Sequence, residues 1–279
     1  MNMTTYHLLF SFLITLWTGA PDKPAGSALV EADAANCGTD NFAFQPGEEV
    51  VYKIYYHLAP LWVSAGEVSF KVEDAGDKYR FKVVGFTYSS LEWFYKGIYT
   101  FESDVDKETL MPERFVRTIE EKKFSEYDKF IFDQNTGIVT TWQGKTVQDA
   151  KKETIKTGPC IHDMISVLYY LRNQDFSRMA VGKTLPVKIF LEETYPLNVR
   201  VLAQNEERRI KGLGKHRCHI FSPEVIEGEV FNEGTQMTVY VSADENKIPL
   251  MIESPVRVGK VKAVLQKHKG LRHTFKACE

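Results

Sequence analysis

The chain has 279 residues, of which 43% are hydrophobic, 13% aromatic and 26% charged. This composition is typical of a globular protein with one large domain or two small ones. Its 35 basic and 37 acidic side chains give a formal net charge of −2, which excludes a nucleic-acid binder that acts through a strongly basic surface.

The N-terminus contains an apolar run of ten residues, from Leu8 to Trp17. This run is too short to cross a bilayer as a helix, but it matches the apolar core of a secretory signal peptide. Small residues follow at 18–20 and 26–28, whereas no lysine or arginine precedes the run. The pattern predicts three segments: a signal peptide (1–28), a flexible tether (29–43) and a single β-rich domain (44–279).

Alternation of apolar and polar residues predicts strands through most of the domain. The clearest alternation places Val68, Phe70 and Val72 on one face, ahead of a turn-forming sequence at 74–77. A second turn is predicted at 135–137. About a dozen strands with short connections indicate an antiparallel meander, and a sheet of that size curls, closes or splits into two layers.

One segment instead has the periodicity of a helix. Its apolar residues recur at intervals of three and four: Met164, Val167, Leu168 and Leu171. Asp163 can cap the first turn and Arg172 suits the last one. A shorter helical turn is predicted within 89–97. The predicted fold is therefore mainly β: a large curved antiparallel sheet or incomplete β-barrel, with one central helix packed on it.

Two features near the C-terminus concern the position of strands in the sheet. Pro249 and Pro255 flank a predicted strand, which indicates an edge or a bend. A basic cluster alternates with apolar residues over 260–269, as in an edge strand with a charged outer face. A patch for lipid headgroups or a polyanion is the alternative, so peripheral contact with a membrane is compatible with the sequence.

The four cysteines are disulfide candidates, because an even number in an exported chain favours pairing. They are Cys37, Cys160, Cys218 and Cys278. Of the three connectivities, we favour Cys37 with Cys278, which flank the folded region, and Cys160 with Cys218. A zinc site formed by Cys160, His162, His216 and Cys218 is an alternative, but its spacing matches no standard finger. We therefore predict no metal site.

His162, Asp163 and Ser166 are the residues that a hydrolase could use. Ser166 follows His162 by one helical turn, but Asp163 is adjacent to His162 and its side chain points elsewhere on the helix. No serine is flanked by glycines in the manner of a nucleophile elbow. We favour a structural role at the helix start, assign no catalytic residue, and predict no cofactor.

Aromatic residues form two unusual apolar segments at 58–66 and 91–97. Such segments can line the edge of a hydrophobic pocket, although packing at a corner of the sheet is the more common arrangement. The candidate ligand-binding residues are Trp62, Trp93, Phe94 and Tyr95.

Four stretches of the sequence resemble a known family: 47–70, 162–173, 188–201 and, most specifically, 239–265. The resemblance is to the bacterial domain of unknown function 3108 and extends from about Phe44 to Leu271. Members are typically exported proteins of Gram-negative bacteria, so the resemblance implies a β-rich envelope domain in the periplasm or associated with the outer membrane. It carries over no catalytic residues.

The sequence thus favours a non-enzymatic binder of an apolar or amphipathic ligand such as lipid, by analogy of shape with carriers that hold lipid in a curved sheet. An envelope protein that binds another protein or a polysaccharide is the alternative, and a hydrolase using His162 is a minor one. The oligomeric state is left open.

Overall fold

A computed structural model of the chain describes residues 37–58, 60–91, 96–224, 236–256 and 259–276. These residues contain fifteen strands and one α-helix, α1 (Ser166–Arg172). The first eight strands are β1 Glu49–Leu58, β2 Leu61–Ala75, β3 Lys78–Thr87, β4 Gly97–Asp106, β5 Pro112–Glu121, β6 Ser125–Asp133, β7 Ile138–Gly144 and β8 Lys151–Lys156. The others are β9 Ile161–His162, β10 Thr184–Phe190, β11 Thr194–Ile210, β12 Gly214–Pro223, β13 Thr238–Ser242, β14 Pro249–Pro255 and β15 Lys260–Lys269. Among the described helices, none is long and apolar enough to span a membrane.

All fifteen strands form one sheet in the order β8 to β1, then β15 to β9. Strands adjacent in the chain pair antiparallel, except that β9 pairs parallel with β10 and that β8 and β9 do not pair. β1 pairs with β15, which joins the first and last strands. The two edge strands, β8 and β9, are separated by only residues 157–160. The sheet must therefore curl until its edges approach each other, which confirms the predicted mainly β, incomplete-barrel fold.

A side chain of the β6–β7 turn bonds the edge strand β9 and the start of β5. The Gln134 amide nitrogen donates to the backbone oxygens of Ile161 (2.9 Å) and Pro112 (3.1 Å), and the Ile161 N–H donates to the Gln134 side-chain oxygen (3.3 Å). Gly137 also packs so closely on Gly158 that a side chain there would lie 2.6 Å from the Gly158 Cα. The edge strand β9 and the loop before it are thus held against the β6–β7 turn, while β8 and β9 form no ladder with each other.

The predicted turns and inward faces are confirmed. Gly76 adopts a positive φ in the β2–β3 turn, where the Asp74 carboxylate accepts its N–H. Gly137 also adopts a positive φ, in the β6–β7 turn, where its N–H donates to the Asp133 backbone oxygen (2.9 Å). Val68 and Val72 are buried along β2. The short helical turn predicted near residue 89 is a 3-10 turn over Ser89–Leu91.

Two predictions about edge strands are wrong. The strand flanked by Pro249 and Pro255, β14, pairs on both sides, and so does β15 with its basic cluster. Pro249 is accommodated by a register shift between Tyr240 and Val241 on the neighbouring strand, which is the predicted bend. The alternation in β15 reflects burial of Val261 and Ala263 on its inner face in the middle of the sheet.

The disulfide joins Cys37 to Cys160, so both favoured pairings, Cys37–Cys278 and Cys160–Cys218, are wrong. The N-terminal segment lies along the β4–β5 turn, where the Thr39 N–H donates to the Thr109 oxygen, and it reaches the loop before β9. Cys218 is buried, with its sulfur 3.6 Å from the His216 backbone oxygen. Cys278 lies outside the described residues. Since Cys160 is bonded to Cys37, it is not available for the alternative zinc site.

Residues 37–43, which were assigned to the tether, pack against the domain. The Asn173 side-chain oxygen accepts the N–H groups of Phe42 (2.6 Å) and Ala43 (3.0 Å), and Ala43 is buried. The folded unit therefore includes residues before 44. The rest of the tether and the predicted signal peptide, 1–36 together, lie outside the described part of the chain.

Candidate functional site

Helix α1 lies over the concave side of the sheet, and Asp163 fixes where it begins. The Asp163 carboxylate accepts the N–H groups of Ile165 (2.7 Å) and Ser166 (2.8 Å), and the Asp163 N–H donates to the Ser166 hydroxyl (3.0 Å). These bonds satisfy N–H groups that the first turn leaves without partners. The predicted capping role of Asp163 is confirmed.

A cavity of about 360 Å³ separates α1 from the part of the sheet formed by β1, β2 and β11–β14. The whole apolar stripe of the helical segment lies on one wall: Met164, Val167, Leu168 and Leu171. The facing wall is made by residues that share the inner side of their strands: Tyr52, Phe70, Leu197, Val199, Phe221, Val239, Val241 and Ile252. The two facing walls are therefore mainly apolar.

The exposure of the lining residues shows that the helix does not close the space. Leu168 is 40% exposed although it belongs to the apolar stripe, and Val239, Val241 and Ile252 are only half-buried. An apolar stripe on a helix normally packs directly on its partner surface. Here the stripe lines a space instead.

The cavity is also lined by polar and charged residues: Arg172, Asp175, Ser177, His219, Glu224, Asp244, Glu245 and Lys247. His219 and Lys247 have pKa values shifted by burial. The Lys247 ammonium donates to the Gln174 oxygen (2.8 Å), and burial lowers its pKa. Burial, together with the charge of Lys247, also lowers the pKa of His219, while Asp175 opposes the shift. His219 is thus neutral at pH 7, and its Nδ1 has no hydrogen-bond partner among the residues the structure describes.

Arg172 also contributes to the wall, but its charge is already neutralised. Its guanidinium forms a bidentate pair with Glu48 (2.5 and 2.9 Å) and donates to the backbone oxygens of Asn246 and Ala43. Both side chains of the pair are buried. The sequence predicted only a favourable position at the helix end for Arg172, because its partner lies 124 residues away in the chain.

His162 and Ser166 meet, but Asp163 does not complete a catalytic group with them. The Ser166 hydroxyl lies 3.4 Å from His162 Nδ1, whereas the Asp163 carboxylate bonds the Ser103 hydroxyl (2.6 Å) and the backbone. Burial raises the pKa of Asp163 to about 6 and lowers that of His162 to about 3. None of the three lines the described cavity, which favours the structural role over the hydrolase alternative.

Trp62, a candidate ligand-binding residue, lies away from the cavity. A bulge at Ala65 reverses the alternation along β2, because Ile54 faces Gly66 while Tyr55 faces Ser64. Trp62 therefore points outward, 44% exposed, with its ring 4.8 Å from that of His57. Trp93, Phe94 and Tyr95 lie outside the described residues.

The cavity-lining residues were not identified as such from the sequence. The signals were present: the apolar stripe of α1, and the alternating Val239 and Val241 in β13. What the sequence does not show is the distance between the two surfaces. The same residues would serve equally well in a packed core.

These features define a β-barrel-like protein with one helix above an apolar cavity. A family model described as "Protein of unknown function (DUF3108)" matches residues 51–266, and the chain belongs to this family. The predicted membership is confirmed. Among curated proteins, no significant sequence match was found.

Solved structures are similar in fold. A β-barrel-like protein of the domain of unknown function DUF1849 from Brucella abortus has a TM-score of 0.55 at 10% identity, covering 83% of this chain and 98% of that one. At 11% identity, a candidate exported protein with a YmcC-like fold from Bacteroides fragilis and a candidate lipoprotein from Parabacteroides distasonis have TM-scores of 0.31 and 0.29. Each covers 83% of this chain, over 99% of its own length. Of these three, the Brucella structure supports the fold, and none of the three supports a function.

Proposed function

We propose that the protein is a non-enzymatic binder of an apolar or amphipathic ligand such as lipid, held between α1 and strands β11–β14. The observation that supports this is the apolar cavity of about 360 Å³. Its volume lies at the lower end of the range for small-molecule sites, about 300–1,000 Å³.

The energetics of such a space favour an occupant. The cavity is open to solvent, since Leu168 on its wall is 40% exposed, so water contacts its apolar walls. Removing apolar surface from water contributes about 25 cal/mol per Å², which favours an apolar occupant. An apolar ligand that contacts the aliphatic walls removes this surface from water.

The polar part of the wall indicates an amphipathic ligand with one polar end. Lys247 supplies a positive charge to a wall that also carries the carboxylates of Asp175, Asp244 and Glu245, and the neutral His219 ring lies in the same wall. A ligand with its chain against α1 and β13 would place a headgroup oxygen near Lys247 and His219. Arg172 would not contribute to headgroup binding, because Glu48 already engages it.

We further propose that the protein acts outside the cytoplasm, in the periplasm or in association with the outer membrane. The apolar run at 8–17 has the length of a signal-peptide core. The Cys37–Cys160 disulfide supports the same compartment, because such bonds persist in oxidising surroundings and are rare in the cytosol.

The ligand is tested by native mass spectrometry of protein purified from its own cells, with organic extraction of bound molecules. We expect a stoichiometric apolar or amphipathic molecule.

A matched pair of substitutions locates the binding site, because Leu168 lines the cavity and Leu202 does not, yet each is 40% exposed. Leu168→Glu should weaken binding of the uncharged probe N-phenyl-1-naphthylamine at least about tenfold, since it places a charge in an apolar site. Leu202→Glu should leave it unchanged.

The two measurements separate this proposal from its alternative. Apo protein that binds no probe, or equal effects of the two substitutions, would contradict a ligand site in the cavity. Those outcomes would favour the envelope interaction protein.

A further inference from the structure

The floor of the cavity has a definite length along the strands. Alternate residues of β12 line it, namely His219, Phe221 and Pro223. Val241 and Val239 of β13 pair with the first two of these and line the same space. At about 3.3 Å per residue, the floor from His219 to Pro223 extends about 13 Å. A bound chain that lies along these strands contacts the floor over that distance.

Polar side chains end the floor on both sides. Lys247, whose charge contributes to the lowered pKa of His219, lies in the wall at the His219 end. Glu224 follows Pro223 at the other end, where it is exposed and its carboxylate accepts a hydrogen bond from the Asn198 amide (2.6 Å). An apolar chain that covered either charged group would remove it from water at a cost. The stretch between them therefore sets the length of chain that the site can hold.

The length and the volume of the space give similar capacities. An extended hydrocarbon advances about 1.25 Å per carbon, given bonds of about 1.52 Å and angles of about 111°, so the floor accommodates about ten carbons. The cavity volume of about 360 Å³ accommodates about twelve methylene groups, since each is similar in size to a water molecule, which occupies about 30 Å³. Both capacities correspond to one hydrocarbon chain.

A second chain of the same length would need about twice this volume. The opening beside Leu168, which is 40% exposed, does not increase the capacity of the site. A methylene group outside the walls stays in water and adds no affinity, because affinity comes from the apolar surface that is removed from water. A lipid with two acyl chains would therefore leave one of them in solvent.

We infer that the ligand is a single-chain amphipath with about ten to twelve apolar carbons, rather than a lipid with two acyl chains. The inference rests on the proposed function and names the class of ligand that the same site takes. The polar head lies beside His219 and Lys247, and the chain follows β12 and β13 towards Met237, which is buried in the wall.

A series of primary alcohols from octanol to hexadecanol tests the chain length, because the head is uncharged and constant. Each alcohol displaces N-phenyl-1-naphthylamine from the full chain. Affinity should rise about fourfold per methylene group, which corresponds to about 0.8 kcal/mol, up to decanol or dodecanol. Beyond that length it should change less than about 1.5-fold per methylene group. A rise that continues unchanged to hexadecanol, or a series already flat from octanol, would overturn the inference.

Substitutions of Val241 should move the length at which affinity stops rising. Val241→Phe adds the volume of about four methylene groups to the wall, so dodecanol should bind at least about tenfold more weakly and octanol nearly as before. Val241→Ala should move the limit the other way, by about two carbons. Val84→Phe is the control, since Val84 is 39% exposed on β3 and does not line the cavity. A general loss of structure would weaken every alcohol alike, so an unmoved limit in both Val241 variants would contradict the inference.

Organic extraction of protein purified from its own cells separates the two levels of the hypothesis. A co-purified molecule with one chain supports both the proposed function and the inference. A co-purified lipid with two chains would overturn the inference and still support the proposed function. Protein that binds neither the naphthylamine probe nor any alcohol would instead contradict the proposed function itself.

Discussion

The interior of the barrel differs between its two halves. Beneath β3–β6 the sheet carries Phe81, Phe101, Phe115 and Phe130, all fully buried. Neighbouring rings contact one another, Phe81 stacks on Tyr169 of α1, and Phe130 reaches Phe190 of β10 with 5.1 Å between ring centres. Beneath β11–β14 the equivalent inner positions carry mainly leucine and valine, and a space of about 360 Å³ remains under the same helix.

The difference shows that side-chain length contributes to where this barrel is filled. Because Tyr52, Phe70 and Phe221 also line the cavity, the separation of α1 from the sheet contributes as well. Both halves alternate inward and outward residues in the same way. An aromatic ring extends far enough to meet the helix or the opposite strand, whereas Val239 and Val241 do not. Filled and hollow regions can therefore coexist in one continuous sheet.

The pair between Arg172 and Glu48 lies on the boundary of the two halves, and its loss should have the largest effect. Arg172→Met would leave the Glu48 carboxylate buried without its partner, so we expect a loss of about 3–5 kcal/mol in the free energy of unfolding, measured with guanidinium chloride. Arg178→Met provides the control, since that arginine pairs with Asp175 at the surface. Equal losses in the free energy of unfolding for the two variants would show that the buried pair stabilises the fold no more than the surface pair does.

A matched valine pair tests the contrast directly. Val83→Ala, in the filled half, should cost about 2 kcal/mol, because the tightly packed surroundings leave a new cavity. Val241→Ala only enlarges an existing space, so we expect a cost below about 1 kcal/mol by urea denaturation. Similar costs at both positions would indicate that the cavity half is as well packed as the other.

The smallest net effect on the unsubstituted chain is that of acid, because His162 and Asp163 beside α1 oppose each other. Its pKa is lowered to about 3 by burial, so below pH 6.5 the unfolded chain takes up a proton that the folded chain does not, and stability falls. The pKa of Asp163 is raised to about 6, so between pH 6 and 4 it gains stability on acidification and opposes His162.

Replacing either side chain should leave the contribution of the other to the pH dependence of the free energy of unfolding. Compared with the unsubstituted chain, His162→Gln should change the slope of unfolding free energy by up to about 1.4 kcal/mol per pH unit between pH 6 and 4, in the direction of greater stability in acid. Asp163→Asn should change it in the opposite direction. Urea denaturation across this range measures both, and His268→Gln at the exposed end of β15 is the control. An unchanged slope would show that His162 titrates normally.

Local chemistry allowed much of the fold to be predicted. Val68 and Val72 alternate on one face whatever lies opposite them, Gly76 permits the positive φ of its turn, and Asp163 caps the helix that follows it. The bulge at Ala65 was not predictable in the same way. It turns Trp62 outward, although the local pattern is compatible with either face.

The sequence by itself determined the class of the protein, because strand alternation, turn residues and the helical stripe depend on neighbours a few positions away. Tertiary structure alone decided the partner of Cys37, the burial of Arg172 against Glu48 and the opening of the cavity. These features depend on distances between segments more than a hundred residues apart in the chain, or on a gap that no single segment records. Residues such as Val239 and Leu168 are apolar in either case, and only the separation of helix and sheet decides whether they form a core or line a space.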